Sequence, residues 1–151
     1  MYQKYHNKLL AEKIQDYMID KSYPSNIVWN MTYKEFVSRA MQQDDRNVFS
    51  TSNYIPNVVP KSLSEFYKDY NPVNVEINTE YGAIHFYGVD ELDSLCKDYY
   101  FYPKKAFIFA TCNGEPFFVD KEDNKVYTSL EGEYRPEKIA DSFITFLVNC
   151  V

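Results

Sequence analysis

The sequence predicts an α+β fold: a mostly antiparallel sheet packed against N-terminal helices and a C-terminal helix. Three observations carry this. Apolar residues of helical period crowd the first 70 positions, strand-period runs follow one another from Val73 to Leu130, and a last helical stripe closes the chain. Strands segregated from helices and joined by short polar turns pair antiparallel. A length of 151 residues fits one domain, residues 1–151.

The first expected helix runs from about Tyr5 to Lys21, where Leu9, Leu10, Ile14, Tyr17 and Met18 share a stripe. Pro24 then pushes Tyr23 out of helical angles. Thr32 and Glu35 form a capping-box pattern that opens a second helix, with Phe36, Val37, Ala40 and Met41 on one face. Gln42 to Val59 is polar, Asn-rich and punctuated by proline, which reads as a long loop. Ser62 and Glu65 repeat the capping-box signal; Leu63, Phe66 and Tyr67 face inward, and Pro72 bars continuation.

"VNVEIN" alternates Val73, Val75 and Ile77 with Asn74, Glu76 and Asn78, the period of a strand with one buried face. "TEYG" turns the chain into a second strand, Ala83–Gly88. "VDELDSL" suits a short helix and "YYFYP" an irregular aromatic segment. "AFIFAT" is apolar throughout, as a strand covered on both faces would be. "EPFFVD", the polar turn "KEDNK" and the strand "VYTSL" follow. Pro136 and Glu137 suit a first helical turn, and Ile139, Ala140, Phe143, Phe146, Leu147 and Cys150 form the apolar stripe of the expected last helix.

Composition narrows the function classes. The net charge is −6, concentrated in the middle: residues 51–100 carry −5, against +1 before them and −2 after. Dispersed basic residues in an acidic chain weigh against direct nucleic-acid binding, whereas an acidic surface steers a basic partner. Tyrosine is abundant, 15 residues beside 11 Phe and 1 Trp, more hydroxyls than one small core can satisfy, so several belong at a surface suited to protein contacts. The three cysteines, Cys96, Cys112 and Cys150, form no CxxC pair, and no disulfide framework, metal site or cofactor motif is expected. No stretch reaches membrane-spanning length and no export signal opens the chain, which leads to the expectation of a cytoplasmic protein without membrane contact.

One short stretch tests the enzymatic alternative. In "FIFATCNGEPFFVD" the thiol of Cys112 stands next to Asn113-Gly114, the strongest two-residue hairpin signal. A nucleophilic thiol needs a depressed pKa and a neighbouring base. Glu115 acts in the opposite direction, and His85 could reach Cys112 only from a neighbouring strand with a matching face. The tetrapeptide is therefore read as a turn. Asp120, at the end of the next strand, suits an Asx-turn that receives backbone N–H groups. Glu131 and Glu133 could share a strand face for acid–base work, but solvated loop acids are the simpler reading. No catalytic residue is expected.

The segment "FIFATCNGEPFFVDKEDNKVYTSLEGEYRPEKIADSFITFLVN" resembles the C-terminal half of the SUKH superfamily. The shared pattern is Phe109-Ala110, the turn glycine Gly114, Phe117 to Asp120, Val126-Tyr127, and a final "IA-SF--FL" in Ile139-Ala140, Ser142-Phe143 and Phe146-Leu147. "PKSLSEFYKDYNP" resembles the family's upstream proline and Phe-Tyr helix, so the resemblance covers about residues 55–151. The chain departs from the pattern in having a single turn glycine, and Pro72 where a glycine is usual. The resemblance implies a non-enzymatic protein-binding domain, first of all an immunity protein that neutralises a toxin, often a nuclease, by direct contact. A regulatory or scaffold module is the alternative, and a cysteine-dependent hydrolase the second. Nuclease surfaces attract phosphate and are often basic, so acids and tyrosines are the candidate contacts: Glu76 and Glu80 on the first hairpin, then Asp90, Glu91, Asp93, Asp98, Tyr99 and Tyr100.

Overall fold

A computed structural model describes residues 25–129 and 132–151, with side chains from Tyr33 onward. The helix expected over Tyr5–Lys21 lies outside these residues. Helix α1 spans Ser25–Gln43. Thr32 therefore sits inside a helix instead of opening one; residues 25–31 contain neither Gly nor Pro to delay it. Phe36 and Ala40 face the core, while Met41 points outward at 47% exposure.

The loop expected over residues 42–59 contains a strand, β1 (Val48–Ser50), paired antiparallel with the start of β2 (Asn71–Thr79). Three residues are too few to show a period, which is why the sequence conceals it. The buried amide of Asn47 ties this corner together. Its Nδ2 donates to the Ala40 carbonyl at 2.8 Å, and its Oδ1 accepts the Glu76 backbone N–H at 2.9 Å. Pairing shifts from Val48↔Asn74 to Phe49↔Pro72, and the extra residue on β2 is Val73. That bulge turns Val73 outward, at 54% exposure, against its expected inward place; Val75 and Ile77 are buried as the alternation required.

A 3-10 turn (Lys61–Leu63) leads into α2 (Ser64–Asp69). The Ser62–Glu65 capping box does not form: the turn starts behind Pro60, so Ser62 is already inside it, and its hydroxyl lies 3.5 Å from Asn124 Oδ1. Leu63, Phe66 and Tyr67 are buried as expected. Strand β3 (Gly82–Phe86) closes a two-residue hairpin with β2, and α3 (Leu92–Asp98) and the turns of Tyr99–Tyr102 follow. Then come β4 (Ala106–Cys112), β5 (Glu115–Asp120) and β6 (Val126–Thr128). The β4–β5 hairpin turns at Asn113 (φ 52°) and Gly114 (φ 84°), left-handed angles that these two residues tolerate.

The expected last helix is divided. Residues Glu137–Ala140 form strand β7 against β6, and only Phe143–Cys150 is helical (α4). Sheet hydrogen bonding to β6 prevails over the helical propensity of this stretch, and Ser142 starts the helix by accepting the Thr145 N–H at 3.2 Å.

The seven strands pair in chain order, each antiparallel to the next. One sheet face carries Val75, Ile77, Ile84, Phe86 and Phe117 to the helices. Phe36 of α1 meets Phe86 at 5.9 Å, and Phe143 and Phe146 of α4 meet Phe109 and Phe117 at 5.0 and 5.4 Å. Each such ring, fully buried, contributes about 1.5–3 kcal/mol. On the opposite face α3 and the Tyr99–Tyr102 segment cover only the centre, where Tyr102 packs on Phe118 at 5.6 Å. Strand β4 is thus apolar on both faces, as its sequence implied. Beyond that cover the outer face of β2 and β3 lies open, with Asn74, Glu76, Asn78 and Ala83 exposed.

Candidate functional site

The thiol of Cys112 is buried on the helix-facing side of the sheet at 4% exposure, and its Sγ donates to the Tyr81 carbonyl at 3.2 Å. A Cβ on Gly82 would sit 3.0 Å from that sulfur, so the hairpin backbone covers it closely. Burial first, and the Glu115 carboxylate second, push this thiol above its ordinary value. His85 pairs with Thr111, so its side chain occupies the face opposite the neighbouring Cys112. Among the described residues the arrangement gives the sulfur no access, base or positive charge, the three things that activate a cysteine. Burial also raises the half-buried Cys96, and Cys150 is buried. Among the described residues no group of three or more His, Cys, Asp or Glu could hold a metal ion.

Asp120 and Glu133 have structural partners. Asp120 Oδ1 accepts the Glu122 N–H at 2.8 Å, an Asx-turn that shapes the β5–β6 connection, and its other oxygen lies 3.5 Å from Lys105 Nζ. Glu131 lies outside the described residues. Glu133 stands in a bend, not a strand, and pairs with Arg135 at 3.3 Å; it shares no strand face with a second acid.

The surface residues fall into four places. Glu76 lies on the open outer face of β2, directly across from His85 on β3. Asp90, Glu91 and Asp93 cluster where the chain leaves β3 and enters α3, a corner fixed by Asn71 Oδ1 accepting the Val89 N–H at 2.9 Å. Glu80 sits at the β2–β3 turn, the other end of the hairpin. Asp98 and Tyr99 end α3 beside the β4–β5 turn, where the Tyr99 hydroxyl donates to the Gly114 carbonyl at 2.7 Å. Tyr100 follows and is 85% exposed. Glu76, Asp98 and Tyr99 thus border one surface, while Glu80 and the Asp90–Asp93 cluster mark its two ends.

Sequence reasoning missed the centre of that surface. A groove of about 500 Å³ runs between α3 and the β3–β4 pair, walled by Tyr87, Asp98, Tyr99, Phe101 and Thr111 among others. The Tyr87 and Thr111 hydroxyls are 2.9 Å apart, and the His85 ring packs edge-on against Tyr87 at 4.6 Å. The signal was present: in "AIHFYG" the inward positions Ile84 and Phe86 leave His85 and Tyr87 on the outer face.

No described helix is long and apolar enough to cross a membrane. A search of curated proteins found no match. The sequence profile of the SMI1 / KNR4 family (SUKH-1) matches residues 43–149, which takes in the whole sheet, including β1 upstream of the resembling segment. A seven-stranded meander closed by a capped helix, matched over that span, places the chain in the SMI1 / KNR4 family (SUKH-1).

Proposed function

We propose that the chain is a non-enzymatic binding protein of the immunity type, which neutralises a basic toxin domain by covering its working surface. The observation that carries this reading is the open outer face of β2 and β3, continuous with the α3 groove and bordered by exposed Glu76, Asp90, Glu91, Asp93 and Asp98. Set against these acids are Lys97, the one lysine between Glu76 and Asp98, and the exposed Arg46, which lies near Glu76. Such a surface attracts a cationic partner over distance, and its tyrosines supply contact area at low entropic cost. A nuclease, whose own substrate demands positive charge, is the toxin class it fits best. The buried, neutral state of Cys112 supports a role without catalysis.

Co-expression with the toxin domain encoded by a neighbouring reading frame tests the reading. Cell growth should be restored, and association measured by stopped flow should slow at least tenfold between about 50 and 500 mM salt. Growth unchanged by the chain, with no complex formed by the purified proteins, overturns it.

A further inference from the structure

The walls of the α3 groove specify the chemistry of an occupant. Among the described residues the only charged one on its walls is Asp98, and no salt bridge among them engages that carboxylate. Around it stand Tyr87, Tyr99 and Phe101. Two of these rings are held before anything binds: Tyr87 by the Thr111 hydroxyl at 2.9 Å and the His85 ring at 4.6 Å, Tyr99 by its hydrogen bond to Gly114 at 2.7 Å. A pre-set aromatic wall with one carboxylate at its edge loses little entropy on binding.

We propose that this groove receives the guanidinium of an arginine side chain presented by the protein partner. The inference rests on the reading of the chain as a protein-binding domain and names the chemistry of one contact. A guanidinium is planar and weakly hydrated, so it stacks on aromatic rings while its fork donates to a carboxylate. A lysine ammonium is compact, strongly hydrated, and matches only the charge. An anionic ligand would meet Asp98, and an uncharged apolar one would cover that carboxylate without a partner, which is costly. Asp90, Glu91 and Asp93, at the start of α3, raise the local concentration of cations along the approach.

The probe is N-acetyl-arginine methylamide, titrated at low salt into the isotope-labelled full chain and followed by amide chemical shifts. Saturable shifts are expected at Tyr87, Asp98, Thr111 and Gly114, with a dissociation constant on the order of millimolar for so small a ligand. The lysine analogue should bind several-fold more weakly. Asp98→Asn, an exposed position, should weaken arginine binding about tenfold, and Glu137→Gln, on β7, less than about twofold. Shifts absent from the groove, or equal for arginine and lysine and spread over every acidic surface, overturn the proposal. The functional reading fails separately. Arginine binding in the groove without toxin neutralisation leaves this proposal standing and removes the immunity role, whereas neutralisation by a chain whose groove ignores the probe does the reverse.

Discussion

A Cβ at Gly88 would lie 2.0 Å from the Pro72 carbonyl oxygen and 2.9 Å from Asn71 Oδ1. Two bare backbones therefore meet where β2 begins and where the chain turns from β3 towards α3, and the adjacent Asn71–Val89 hydrogen bond holds them together. Relief would require moving backbone, not a flexible side-chain tip, so Gly88→Ala is expected to destabilise the chain by about 3 kcal/mol, at the upper end of overpacking costs. Equilibrium urea denaturation measures this; a loss under about 1 kcal/mol would show that the two segments part without effort. The cysteines provide a second test at this scale. Because Cys112 is buried and held protonated, its labelling by an aromatic disulfide at neutral pH should proceed at the rate of unfolding, after the half-buried Cys96 has reacted. A fast stoichiometric reaction at Cys112 in the folded chain would reinstate it as a nucleophile.

At the scale of elements, Ser142 marks the boundary that local reading missed. Its hydroxyl accepts the Thr145 N–H at 3.2 Å and lies 2.8 Å from the Thr145 hydroxyl, so Ser142→Ala should cost about 1 kcal/mol in denaturant unfolding. Ser142→Asp, which keeps an acceptor, should recover most of that loss, and equal losses in both variants would show that the cap contributes nothing. Pro136 and Glu137 looked like a helix start because both favour a first helical turn, yet β6 needs a partner, and tertiary pairing outweighs tenths of a kcal/mol of propensity. Strand β1 was hidden by its length, three residues being too few to show a period, and the bulge at Val73 broke an alternation that was otherwise correct. What the sequence did reveal had local chemistry behind it. Asn113-Gly114 supplied the left-handed angles of its turn, "AFIFAT" was apolar because both its faces are covered, and Phe66-Tyr67 lay on the inward side of a helix that Pro72 bounds. The candidate site was half legible. Exposed acids can be read from charge alone, but the groove depends on which strand faces α3 leaves uncovered, a long-range fact that no window of sequence contains.

For the molecule as a whole, the aromatic core that joins sheet to helices sets a limit in alkali. Tyr67 is buried against Phe66 and Phe107, and Tyr33 of α1 against Phe66 and Phe143. Burial is the main cause that holds both phenols well above their ordinary value of 10.0. Cys96 and Cys112, raised from 9.0 chiefly by burial, shift the same way. In each case the folded chain binds the proton more tightly than the unfolded one. Their contribution is therefore complete below the unfolded-state values and is lost as pH rises beyond them, towards the folded-state values. Stability should be level to about pH 9, decline gently as the thiols begin to favour the unfolded chain, and fall steeply above pH 10. Each buried tyrosine adds a slope of up to about 1.4 kcal/mol per pH unit. Urea denaturation at intervals from pH 8 to 11 measures that curve, and Tyr67→Phe should flatten its upper limb by the share of one group. A curve that stays level to pH 11 in the unsubstituted chain would mean that these hydroxyls reach water in the folded state, and that the junction between α1, α2 and the sheet is looser than the ring contacts describe.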